Sequence, residues 1–148
     1  MFFIEAAILL GLLLALSIID IKSFRLPNIL TFALIASGLF FAALVPDKFW
    51  DAVFGTVLGY GIFFVIELTY RRLRGQDGLG RGDAKLLAGG GAWCGWFGLP
   101  FIILIGSGMG LIAALFPSIR SRNKIPFGPF LSLGIFIVWV SFQLEPVF

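Results

Sequence analysis

The chain contains no histidine and a single cysteine, Cys94, among its 148 residues. Without histidine, Ser-His and Cys-His nucleophile pairs and His-ligated metal centres are excluded together. One cysteine excludes an internal disulfide framework and any multi-cysteine zinc site within this chain. Charge is scarce too. Only 13% of residues are Asp, Glu, Lys or Arg, where a soluble domain has about a quarter. Carboxylates are left as the obvious titratable catalysts.

Apolar residues are abundant: 59% of the chain is hydrophobic and the mean hydropathy is +1.04. That composition is of an integral membrane protein. At about 20 residues per span plus short loops, the length allows six spans at most and no separate soluble domain. The expected fold is therefore all-α, a bundle of six transmembrane helices forming one domain over residues 1–148. Apolar runs place the helices at about Phe2 to Ile19, Ile29 to Val45, Ala52 to Tyr70, Ala84 to Phe97, Leu99 to Phe116 and Phe127 to Phe142. Pro27, Pro46, Pro100, Pro117 and Pro126 punctuate them. Only Gly98-Leu99-Pro100 separates the fourth run from the fifth, which leaves open a tight hairpin or a partly re-entrant segment. Glu5 stands where a cleavable signal peptide carries positive charge, so the first run reads as a retained span.

Ten of the eleven basic residues fall on one side of this topology. Lys22 and Arg25 belong to the first loop. Arg71, Arg72, Arg74, Arg81 and Lys85 belong to the third, and Arg120, Arg122 and Lys124 to the fifth. Lys48 lies on the other side with Glu5, Asp47, Asp51 and Glu145. The positive-inside rule makes the basic face cytoplasmic and puts both termini outside. Contact with anionic membrane lipid accounts for the basic residues and the pI of about 9.4 without nucleic acid.

Two carboxylates sit at the edge of this basic face. Asp20 ends the first run, and Asp83 precedes the fourth at the same depth. Two neighbouring carboxylates do not both ionise cheaply, so one keeps a proton while the other acts as base. That asymmetry suits hydrolysis by an activated water. The plainer reading is structural: Asp20 pairs with Lys22 or Arg25, and Asp83 complements a helix N-terminus beside Lys85. Glu67 has Arg71 four residues on and reads as a helical ion pair. Asp77 reads as solvated, and Asp47 and Asp51 lie on the wrong side. Arg74 to Gly82 is glycine-rich and free to approach another helix or an extended peptide closely. Gly89-Gly90-Gly91 and Gly95 suit tight helix contacts, and Trp93 and Trp96 read as anchoring or packing residues.

Three blocks resemble the type IV prepilin peptidase family, membrane aspartyl proteases of the GxGD class. They are Asp20-Ile21-Lys22-Ser23-Phe24-Arg25-Leu26-Pro27-Asn28, then Gly80-Arg81-Gly82-Asp83-Ala84-Lys85-Leu86-Leu87-Ala88 with Gly91-Ala92-Trp93, and Ile125-Pro126-Phe127-Gly128-Pro129-Phe130. The resemblance implies that Asp20 and Asp83 are the catalytic pair, that Gly80, Gly82 and Lys85 support them, and that neither metal nor cofactor takes part. It also implies a bacterial inner-membrane location. The substrates would be prepilins or pseudopilins, cut on the cytoplasmic side after a glycine. Some relatives carry aspartate where this chain has Asn28, which is expected to help cap the second helix. Longer members add an N-terminal cytoplasmic domain with paired cysteines that is linked to N-methylation. This chain has neither, so N-methylation is not expected, and the short form resembles peptidases of tight-adherence pilus systems. Oligomeric state has no signature in the sequence. Two rival classes stand beside this reading: a small cation-binding transporter or channel subunit, and a non-enzymatic scaffold for pilus or secretion assembly.

Overall fold

The computed structural model describes residues 2–23, 27–74, 81–116 and 128–144. All regular structure among them is helical. Six α-helices follow in order: α1 (Phe2–Ser23), α2 (Asn28–Ala43), α3 (Phe49–Arg74), α4 (Arg81–Cys94), α5 (Leu99–Ala114) and α6 (Gly128–Leu144), with a 3-10 turn over Trp96–Gly98. Three segments are long and apolar enough to cross a membrane: Phe3–Ser23, Phe49–Thr69 and Trp96–Ala113. They mark the chain as a membrane protein. Helices α2 and α6 are apolar but shorter, and α4 has only 14 residues.

The sequence places the break between α4 and α5 at Gly98-Leu99-Pro100, and it lies slightly earlier. Gly95 adopts φ +78°, a left-handed conformation that side chains resist, and ends α4 one residue after Cys94. The 3-10 turn then leads into α5, whose first turn holds Pro100, where the missing N–H costs no helical hydrogen bond. A hairpin of two helices results. Boundaries shift at other ends too. α1 continues to Ser23, so Asp20 lies inside the last turn, and α4 begins at Arg81, so Asp83 lies inside the first.

Helix α4 is the hub, touching α2, α3, α5 and α6, and every residue from Leu86 to Ala92 is buried. Its three consecutive glycines explain how. Successive helical residues point about 100° apart, so Gly89, Gly90 and Gly91 open three different sides. A side chain on Gly89 would strike Leu34 of α2, one on Gly90 would strike Ile135 of α6, and one on Gly91 would strike the backbone of Gly55 on α3. The α3–α4 contact is backbone against backbone: Gly55 meets Gly91, and Gly59 meets Leu87. Small residues allow such approach where lipid supplies no hydrophobic drive between helices. Trp93 locks α4 to α2 by donating its indole N–H to the Leu34 carbonyl at 2.9 Å. Cys94 Sγ lies 3.7 Å from the Ile135 carbonyl oxygen on α6.

Candidate active site

Asp20 is brought inside by the register of α1. Leu9, Leu13, Leu16 and Asp20 follow one another at steps of four, three and four, and all are buried. They form one stripe. Asp20 thus continues the face on which α1 meets α2 and α6 and is only 5% exposed. Among the described residues its hydrogen-bond partner is not a neighbouring base, and Arg25 lies outside them. The backbone N–H of Gly128, the first residue of α6, donates to Asp20 Oδ2 at 2.9 Å. Pro129 has no N–H to offer, so Gly128 supplies the amide at this helix end, where the helix dipole also favours negative charge. A Cβ on Gly128 would lie 2.5 Å from Asp20 Oδ2. Only glycine lets the carboxylate come this close.

Asp83 is half-buried in the first turn of α4, ahead of its apolar stretch. It stands at the same end of the bundle as Asp20, because the contact of Lys85 with Asn28 joins the start of α4 to the start of α2, just beyond the end of α1. On α3, Gly55 meets Gly91 and Gly59 meets Leu87, four residues apart on each helix. One further step of four brings Phe63 level with Asp83, and Glu67 lies a turn beyond. Glu67 is 7% exposed and continues the row of Gly55, Gly59 and Phe63 on α3. Its expected pairing with Arg71 falls outside the described side chains.

Lys85 does not pair with Asp83. Its Nζ donates to Asn28 Oδ1 at 2.6 Å and sits 5.5 Å from the Phe32 ring centroid, so it ties α4 to the start of α2. Asn28 consequently does not cap its helix: the N-cap is Pro27, with no side-chain cap hydrogen bond. A long-range donor has claimed the amide oxygen instead. Gly82 belongs to the first turn of α4, while Gly80 and the loop before it lie outside the described residues, as do Ile125 to Phe127. The structure thus joins the first block to the third through Asp20 and Gly128, and the first to the second through Asn28 and Lys85.

Gly128 as an amide donor is what sequence reasoning missed, although the Gly-Pro pair opening an apolar run is a visible helix-start signal. Ser132, one turn further along α6, had no sequence signal. Its hydroxyl is buried and has no hydrogen-bond partner among the described residues, which is unusual for a buried polar group. Among those residues no three His, Cys, Asp or Glu side chains converge as a metal site would require.

Residues 7–115 match the type IV leader peptidase family. The chain belongs to that family. It is 40% identical over 138 residues to the prepilin leader peptidase/N-methyltransferase of Escherichia coli K12, covering 87% of this chain and 61% of that protein. With the prepilin leader peptidase/N-methyltransferase of Aeromonas hydrophila it shares 36% over 143 residues, 92% of this chain and 49% of the relative. It is also 41% identical over 129 residues to leader peptidase HopD of Escherichia coli, covering 82% of this chain and 83% of that protein. The chain therefore spans about half to three-fifths of the two bifunctional relatives and most of HopD. No solved structure matches it.

Proposed function

We propose that this leader peptidase family member is an aspartic endopeptidase that removes the leader of type IV prepilins or pseudopilins. Residues 1–148 act as one membrane domain of the bacterial inner membrane. All six helices span, the shorter ones lying among longer neighbours, and both termini face outward. Cleavage takes place on the cytoplasmic side after a glycine. The observation that carries the reading is the buried Asp20 carboxylate, held by the Gly128 amide at the end of the bundle where Asp83 opens α4. Such a pair is costly to build into an apolar bundle without a chemical use.

Two neighbouring carboxylates share one proton, which divides the work between a base and an acid. Asp20 is held for this by the Gly128 amide, and Asp83 stands at the same end of the bundle. The ionised member of the Asp20–Asp83 pair takes a proton from water as the water oxygen bonds to the scissile carbonyl carbon, and the protonated member donates to the carbonyl oxygen as negative charge develops there. As the tetrahedral species collapses, one hydroxyl returns its proton to the second carboxylate, the C–N bond breaks, and the proton on the first passes to the leaving amine. The Lys85–Asn28 bond supports this geometry from the side by holding α4 against α2.

Cleavage of a synthetic prepilin by the protein in detergent, with Asp20→Asn and Asp83→Asn beside wild type, tests the reading. Either change is expected to reduce the rate by about 10²- to 10⁴-fold, the usual share of a general acid or base, with thermal unfolding unchanged or raised. Normal cleavage by either variant would dismiss the dyad and favour an assembly scaffold. Activity lost to a chelator and restored by a metal would replace the mechanism.

A further inference from the structure

At the pole opposite the two aspartates the bundle opens into a cavity of about 640 Å³. That size lies within the range of small-molecule sites, about 300–1,000 Å³. Its walls include Trp93, Trp96 and Trp139, three of the four tryptophans in the chain. Around it stand Glu5, Asp47 and Asp51, with Lys48 the one basic lining residue. These carboxylates come from the start of α1, the α2–α3 turn and the first turn of α3, and no ion pair among the described residues engages them.

We propose that this cavity binds an ammonium group, of the kind carried by aminophospholipid headgroups and by small organic amines. Indole faces attract cations through their quadrupole, most strongly where water is displaced. Three carboxylates add Coulomb attraction and turn away phosphate and carboxylate groups. The aromatic wall is rigid before any ligand arrives. Trp93 is fixed by its 2.9 Å hydrogen bond to Leu34, and Trp139 meets it edge-to-face at 6.1 Å. Gly95, turned at φ +78°, lies close to Asp51 and lines the cavity with it. Helix dipoles explain why Glu5 and Asp51 occupy N-terminal turns. They do not explain three tryptophans lining the same cavity. The site is independent of peptide cleavage and stands at the other end of the molecule.

The tryptophans are its reporter. The full chain in a non-ionic detergent is titrated with tetramethylammonium chloride, with sodium chloride at equal ionic strength as reference. A saturable change in intrinsic fluorescence, absent with sodium, is expected. Glu5→Gln combined with Asp51→Asn should weaken binding at least tenfold, and Lys48→Gln should tighten it. In a second arm, native mass spectrometry follows retention of phosphatidylethanolamine against phosphatidylglycerol from mixed micelles. Preferential retention of the amine lipid with no response to tetramethylammonium identifies the headgroup as ligand, and the reverse identifies a soluble cation. No saturable response and no lipid preference overturns the proposal. So does a response that the acidic and lysine variants leave unchanged.

Discussion

Asp20 and Asp51 are both aspartates in the terminal turn of a long apolar helix, at opposite poles of one bundle. Asp20 is 5% exposed and accepts a hydrogen bond from another helix. Asp51 is exposed, beside an open cavity. Position at a membrane boundary is thus not enough to make a carboxylate into a catalyst. Asp20 differs because its stripe on α1 faces inward and because α6 begins, with a free amide, where that stripe ends. At the other pole the carboxylates keep their water, and attraction for a mobile cation is the chemistry open to them.

The most destructive way to break this comparison is to disturb the hub that both poles share. Gly91→Leu drives a side chain into the backbone of Gly55, and backbone cannot rotate aside as a side chain can. A loss of about 3 kcal/mol or more is expected, with leader cleavage and the tryptophan signal failing together in thermal scans. Gly128→Ala should separate the poles. The added methyl displaces Asp20 Oδ2, and an ångström of misplacement costs on the order of 100-fold in rate. A fall of roughly 10- to 100-fold in kcat is expected, with a smaller change in KM and an unaltered tryptophan spectrum.

Acidity sharpens the contrast further. A carboxylate pair that supplies one acid and one base works only while it holds a single proton. The cleavage rate should therefore give a bell-shaped pH profile, falling about tenfold per pH unit on either side as the base is protonated or the acid ionised. Asn28→Asp should have the smallest effect. It converts the exposed hydrogen bond from Lys85 into an exposed ion pair, worth at most about 1 kcal/mol, and shifts the melting temperature upward by a degree or two at low salt.

Much of this was legible in the residues. Apolar runs and prolines located all six helices, and the break before α5 was misplaced only because Gly95 ends α4 earlier than the conspicuous Gly98-Leu99-Pro100. Asp20 and Asp83 stood out because charge is rare in this chain. The partners were less legible. Adjacent bases were the natural choices for both acids, yet the described contact of Asp20 comes from Gly128, 108 residues away. Lys85 reaches Asn28 rather than the acid two positions before it.

The reason lies in the solvent of the helices. A helix in water shows its buried side by contrast between apolar and polar faces. A helix in lipid is apolar on both faces, so hydropathy reports its length and ends but hardly its rotation. By itself the sequence determined that the chain is helical and membrane-embedded, which chemistries it lacks, and which two acids to watch. Tertiary structure alone decided that the stripe of Asp20 faces inward, that Gly89, Gly90 and Gly91 each admit a different neighbour, and that Glu5 joins the distant Asp47 and Asp51 around a cavity lined by three tryptophans. Those facts depend on how each helix is turned about its axis and which helices lie beside it, and close backbone contact, not hydropathy, sets both.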